Sequence, residues 1–146
     1  MRRPPKGRNV GVVHGAWGEE RALEYLRAQG YVIVERNVRP CAWDARLEID
    51  IIAYQKEIDT LVFVEVKQHK AHEERQRRLR SITRKKKDLL RRAFRAWLLK
   101  NRWHGNYRFD VIEVYGTPES RGQAEIDHVE RVRIFVKGER YVNWKD

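Results

Sequence analysis

The sequence predicts an α/β fold in the order helix, strand, strand, strand, helix, strand, closed by a small C-terminal β extension. Three observations predict it. Hydrophobic spacing along the 146 residues alternates between the 3.6-residue period of helices and the two-residue period of strands. One strand segment is apolar on both faces, as a central sheet strand must be. A long segment with a single apolar stripe follows it, long enough for a substantial helix.

The elements follow in order. Residues 1–9 carry two prolines, a glycine and no apolar period, so they are expected to form a basic arm, leaving residues 10–146 as one domain. In residues 17–29, Ala22, Leu23 and Leu26 share a helical face, and Gly30 stands as a C-terminal stop. Residues 31–34 read as a strand, and residues 39–45, around Pro40, as a loop. Residues 48–54 and 60–67 read as two strands joined by a short polar hairpin connection at residues 55–59. Ser81 is the expected N-cap of a helix reaching about residue 101, with Ile82, Leu89, Leu90, Ala93, Trp97 and Leu98 on its buried stripe. Residues 107–115 form the next strand. Residues 129–136 and 141–144 are expected as a closing hairpin.

Charge narrows the function. The chain carries 32 Lys and Arg against 21 Asp and Glu, a net charge of +11. Residues 71–104 hold 13 bases against three acids, residues 1–8 hold four bases and no acid, and the remainder is slightly acidic. Such segregation points to a polyanion held by one helix and one arm. Arg84, Lys85, Lys86, Lys87 and Arg91 are the expected nucleic-acid contacts. The lone Cys41 excludes a disulfide framework and a cysteine-rich zinc site, and fits a reducing, cytoplasmic setting. No apolar run approaches the ~18 residues of a membrane span, so no membrane is expected as a partner. The five histidines show no metal-ligand spacing. With no G-x-x-x-x-G-K loop, a nucleotide cofactor is not expected. Trp97 belongs to the core stripe, and Trp103 and Tyr107 are weak candidates for base stacking.

The informative charges are negative. Periodicity places Glu19 on the apolar face of the first helix, Glu48 and Asp50 on one strand face with Ile52, and Glu65 and Lys67 on one face with Leu61 and Phe63. Burying an unpaired carboxylate costs several kcal/mol, so such groups are paired or bound to metal. Taken singly, each acid reads as a salt bridge, Glu65 with Lys67 for example. Taken together, Asp50 and Glu65 on adjacent strands would repel unless a cation lies between them. Mg²⁺ or Mn²⁺ suits such hard oxygen ligands and phosphate substrates. Lys67 could then orient a water or offset charge on the phosphorane. Carboxylates with a lysine beside a basic helix point to phosphodiester hydrolysis.

The motifs Gly15-Ala-Trp-Gly18-Glu19, Glu48-Ile49-Asp50-Ile51-Ile52 and Phe63-Val64-Glu65-Val66-Lys67, then Ile82-Thr83-Arg-Lys-Lys86 and Arg108-Phe109-Asp110-Val111, resemble in order the bacterial YraN family of predicted endonucleases. The resemblance implies a restriction-endonuclease-like three-layer core with a PD-(D/E)xK-type site, distantly similar to archaeal Holliday junction resolvases. It implies Asp50, Glu65 and Glu19 as metal ligands, Lys67 as the catalytic lysine and Lys86 as part of the basic helix. A homodimer follows by the same analogy. The chain departs from the family pattern at Leu47, where the family has glycine, behind its own loop at residues 41–46, and again at Gln68 and His69. The expected function is a metal-dependent endonuclease on DNA, with branched or flapped structures in view and RNA as the other nucleic acid. The alternative is a non-catalytic nucleic-acid-binding protein that keeps the fold.

Overall fold

The computed structural model describes residues 10–70, 82–119 and 124–134, with side chains from residue 15 onward. The expected arm at 1–9, the basic residues of 71–81 with the Ser81 cap, and the strand at 141–144 lie outside the described residues.

Helix α1 (Val10–Ala28) buries Ala22, Leu23 and Leu26 completely, the face its spacing dictates. Gly30 ends it at φ +90°, with the Gly30 N–H donating to the Arg27 carbonyl (3.0 Å) and the Tyr31 N–H to that of Leu26 (3.0 Å). Only glycine takes that conformation without strain. The helix starts seven residues before the expected residue 17. Valines and glycines at residues 10–15 are weak helix formers, so propensity gave no signal there.

Strand β1 (Val32–Val38) is longer than the expected 31–34, because Glu35, Arg36 and Asn37 lie along a sheet edge where polar side chains reach solvent. A bulge between Ile33 and Glu35 shifts its pairing to β2 (Ile49–Gln55). A 3₁₀ turn (Lys56–Ile58) joins β2 to β3 (Thr60–His69), antiparallel with Ile52 opposite Phe63. Helix α2 (Arg84–Lys100) is capped by Thr83 and not by the expected Ser81, which falls two residues too early: the Thr83 hydroxyl accepts the Lys86 N–H at 3.1 Å. Its buried stripe is Leu90, Ala93, Phe94, Trp97 and Leu98: Phe94 joins the expected set, Leu89 is half-buried, and Ile82 is buried ahead of the helix rather than on it. Strand β4 (Asn106–Tyr115) runs parallel to β3, and β5 (Glu125–Val129) pairs antiparallel with β4. The expected strand at 129–136 is thus corrected: the edge strand is Glu125–Val129, and residues 130–134 are not extended in the sheet. Its alternation of Glu125 and Asp127 with Ile126 and His128 is too polar to stand out as a strand, so residues 124–128 carried no expected element.

The sheet order β1-β2-β3-β4-β5 puts β3 at the centre, as its two apolar faces require. Leu61 and Phe63 pack with Leu90, Phe94 and Trp97 of α2. Val62 and Val64 pack with Ala22, Leu23 and Leu26 of α1. One helix therefore covers each face. Phe63 stacks on Phe94 at 4.3 Å and meets Trp97 and Tyr107 edge-on. Trp97 is core, its indole N–H donating to Glu35 at 3.0 Å, and Trp103 donates to the Asn106 carbonyl. None of the described helices is long and apolar enough to cross a membrane.

Replacing Phe63 by Ala removes the ring that joins β3 to α2. We expect a loss of about 3–5 kcal/mol in unfolding free energy, read from denaturant titration.

Candidate functional site

The β2–β3 ladder runs from Gln55↔Thr60 to Ile51↔Val64. One step further would set Asp50 against Glu65, and there the backbone pairing ends. Asp50 takes over with its side chain: the Val66 N–H donates to Asp50 Oδ2 at 2.8 Å. Ile49 packs with the α2 layer and Ile51 with the α1 layer, although strand alternation would put them together. The pleat is therefore interrupted at Asp50. That break brings Asp50 and Glu65 to one place on the α2 side of the sheet.

The two carboxyl groups lie close enough to share a hydrogen bond. Burial, and then the Asp50 charge, push Glu65 up from 4.5 to about 8 despite Lys86. Burial also raises Asp50, opposed by the Val66 N–H, the Glu65 hydrogen bond and the Lys86 charge. Lys86 reaches across from α2 to place Nζ 3.3 Å from Glu65 Oε1, and it is still 41% exposed. An ion pair that open to solvent contributes about 0–1 kcal/mol. Burying a carboxyl pair costs several. Lys86 alone leaves the deficit uncovered, and the proton retained by Glu65 covers part of it.

Lys67 is half-buried two residues beyond Glu65, on the same strand face, and stands opposite Glu113 in the β3–β4 register. Glu19 of α1 is half-buried and raised to about 7 by burial and by the Asp50 charge. With the Asn37 amide nitrogen turned toward it, Asn37 donates to both Glu19 oxygens at 3.2 and 2.8 Å. Asn37 itself sits in the left-handed region at φ +51°, which asparagine tolerates. Gly18, beside Glu19, lets α1 lie against β3: a Cβ there would meet Gln68 Oε1 at 2.6 Å. Glu19 thus faces the pair without closing on it. Among the described residues the only trio with ligand atoms mutually within 4.8 Å is Asp110, His128 and Glu130. Glu48, expected inside, is exposed and paired with Arg39 at 3.6 Å, because it precedes the strand rather than lying in it.

On α2, Arg84 and Lys85 are exposed and Lys87 is half-buried. Arg91 turns inward, donating to the Ile134 carbonyl at 2.6 Å and to Asp88 at 3.3 Å, so it ties the chain after β5 to the helix instead of facing outward.

Two buried acids escaped the sequence reading. Asp110 is fully buried and Glu113 is 1% exposed. Both lie among apolar residues of β4, the same signal that singled out Glu65. Asp110 is already claimed: Arg108 Nε and Nη2 donate at 3.0–3.2 Å, the Arg131 N–H at 3.0 Å, and His128 Nε2 lies at 2.8 Å. Arg108 goes on to Tyr31 and Gln55, so the network braces β4 against β2 and β5. A guanidinium on the carboxylate makes this trio a poor cation site. Glu113 is held by His69 at 3.2 Å and by the Tyr115 hydroxyl at 3.2 Å.

Comparison with known proteins places the family. Residues 18–114 match the model described as "Uncharacterised protein family UPF0102". A UPF0102 protein of Herpetosiphon aurantiacus is 35% identical over 127 residues, 82% of this chain and 93% of the relative. One from Pelobacter propionicus is 36% identical over 126 residues, 86% and 82% of the two chains. One from Alkaliphilus oremlandii is 42% identical over 106 residues, 68% and 82%. The matched span runs from Gly18 through the Asp50–Glu65 pair to the end of β4.

The raised acids set a pH dependence. Glu65 and Glu19 bind protons more tightly folded than unfolded, so their contribution to stability is full below about pH 4.5. It is lost as pH rises through about 7 and 8. In EDTA, the denaturation midpoint should fall between pH 5.5 and 8.5, and Glu65→Gln should flatten that slope. A slope unchanged by Glu65→Gln would contradict the assignment.

Proposed function

We propose that this chain, which belongs to the UPF0102 family, is a metal-dependent nuclease hydrolysing phosphodiester bonds of DNA. The carrying observation is the Asp50–Glu65 pair at the end of the β2–β3 ladder, Glu65 buried and Asp50 half-buried, with Lys67 on the same strand face as Glu65. A helix on each face of a five-stranded mixed sheet fits the restriction-endonuclease-like core.

The donor set fits Mg²⁺ or Mn²⁺: two hard carboxylate oxygens, a shared proton that a cation would replace, and Lys86 already drawn to Glu65. Such an ion, when bound, polarises a phosphoryl group and lowers the pKa of an attacking water. The chain's own residues do the rest. Asp50 and Glu65 would hold the ion, and the Val66 N–H fixes the Asp50 carboxylate in orientation. Glu19, held by Asn37, would take a water of the ion rather than the ion itself. Lys67 would place its ammonium against the phosphate and offset the charge gained in the transition state. Lys86, released from Glu65, would join Arg84 and Lys85 on the phosphate backbone.

The second reading is a nucleic-acid binder that has retired the chemistry. The Lys86–Glu65 ion pair favours it, since a lysine standing in for the cation would make a metal unnecessary.

Cleavage separates these readings, and the salt dependence of binding tests what they share. With Mg²⁺ or Mn²⁺, across linear, flapped and four-way DNA and matching RNA, at least one DNA substrate should be cut, and EDTA should stop it. Glu65→Gln and Lys67→Ala should each slow cleavage by roughly three orders of magnitude, the scale of transition-state charge stabilisation, with binding retained. No cutting by wild type on any substrate leaves the binder. Separately, contact with six or so phosphates predicts a log–log salt slope of about −5 on duplex DNA. Arg84→Ala with Lys85→Ala should reduce that slope by about two.

A further inference from the structure

Among the large hydrophobic side chains described, Trp43 is the most exposed, at 89%. The other described tryptophans are engaged. Trp17 lies under the Arg21 guanidinium, Trp97 donates to Glu35, and Trp103 donates to Asn106 against the Tyr54 ring. A single exposed apolar side chain is ordinary. What sets Trp43 apart is how firmly its loop is held.

The loop before β2 is anchored on both sides of Trp43. Cys41 and Leu47 are buried in the α2-side core. The Asp44 N–H donates to the Cys41 carbonyl at 3.3 Å, and the Leu47 N–H to that of Asp44 at 3.1 Å. The Asp44 carboxylate then accepts two bonds from the Arg46 side chain at 2.9 Å, its backbone N–H at 3.1 Å, and Arg92 of α2 at 3.4 Å. A tethered loop offering its largest apolar side chain to water has ordered the backbone that carries it in advance of any partner. Binding then carries little entropic penalty.

The surroundings select the partner. A protein-binding patch would continue into further apolar side chains. Here the loop neighbours include Ala42 and Ala45, small and exposed, and the charged side chains of the loop and its tethers are Arg39, Asp44, Arg46, Glu48 and Arg92. The side chains of Arg39, Arg46 and Arg92 are 63%, 61% and 46% exposed. Each arginine is paired with an acid, Arg39 with Glu48, Arg46 with Asp44 and Arg92 with Asp44 and Asp88, and each keeps further N–H donors open to solvent. An exposed flat aromatic face on a loop that also carries exposed guanidinium groups suits a nucleobase with its flanking phosphates. The loop sits on the α2 side of the sheet, the side to which Asp50 and Glu65 point.

We propose that Trp43 is a stacking platform for an unpaired DNA base on the side of the sheet that carries the phosphodiester site. The proposal rests on the nucleic-acid reading and deepens it, because it selects substrates that carry unpaired bases. Bases inside a duplex are already stacked on both faces and have nothing to offer the indole. Bases in a flap, a branch or a single strand do.

The test measures binding by fluorescence anisotropy in EDTA, so that nothing is cut. Three DNA ligands are compared: a blunt duplex, the same duplex with a single-stranded flap, and that flap made of abasic residues. Trp43→Ala should weaken binding to the flapped DNA by about tenfold to a hundredfold and to the blunt duplex by less than about twofold. Trp43→Phe should keep most of the affinity, and the abasic flap should bring wild type down to the Trp43→Ala level. Thermal melting should match wild type in both variants, since the side chain is outside the core. Equal losses on flap and duplex, or no loss on either while wild type binds, overturn the proposal and leave the nuclease reading standing. Loss of binding to phosphatidylserine vesicles with DNA binding unchanged overturns it in favour of a lipid surface. Wild type that binds no DNA at all overturns both.

Discussion

Two carboxyl groups set side by side in a poorly solvated place cannot both be ionised unless a cation joins them. That constraint organises the centre of this protein. Asp50 and Glu65 meet where the β2–β3 ladder stops, and Glu65 keeps its proton well into the neutral range. A fold selected for stability alone would place apolar side chains there, since isosteric apolar replacement of buried charges is often neutral or stabilising. The pair is retained at a continuing energetic cost, with one half-exposed lysine beside it.

The scaffold explains why the pair is held so well. β3 is the central strand, buried on both faces, with Phe63 stacked on α2 and Val62 and Val64 against α1. Glu65 follows in that strand and inherits its rigidity. The interruption at Asp50 replaces one backbone hydrogen bond with a carboxylate that accepts the Val66 N–H, so this carboxylate also holds the strand end. α1 brings Glu19 close through Gly18, and the left-handed Asn37 of edge strand β1 fixes it. On the far side of the sheet from the pair, buried polarity is used differently. There Asp110 is saturated by Arg108, His128 and the Arg131 N–H, which makes a brace and removes it from chemistry.

Much of this was legible in the sequence because burial and period agree along the central elements. The two-sided apolar run at residues 60–67 announced the central strand, and the spacing of Ala22, Leu23 and Leu26 announced the face of α1. Asp50 and Glu65 stood out as acids at positions where alternation demands apolar groups. The readings that needed correction lie at the edges. β1 and β5 carry polar residues because one side of an edge strand meets water, so their alternation is diluted. The first turns of α1 are built from valine and glycine, which tertiary context makes helical. Asp110 and Glu113 obeyed the rule that revealed Glu65, and their burial followed from β4 being interior. Trp43 gave no periodic signal at all, since its meaning comes from anchors on either side of it. Arg91 shows the limit of counting charge: it is one of the basic residues of α2, yet its side chain is spent on the Ile134 carbonyl.

The account makes the Asp50–Glu65 pair a divalent-cation site whose occupation expels a proton. Calorimetric titration of Mn²⁺ into the protein at pH 7, repeated in buffers of different ionisation enthalpy, tests this most directly. With Glu65 raised to about 8, close to one proton should be released per ion bound, and Asp50→Asn should abolish the binding. Binding that survives Asp50→Asn, or no binding at all, would contradict it.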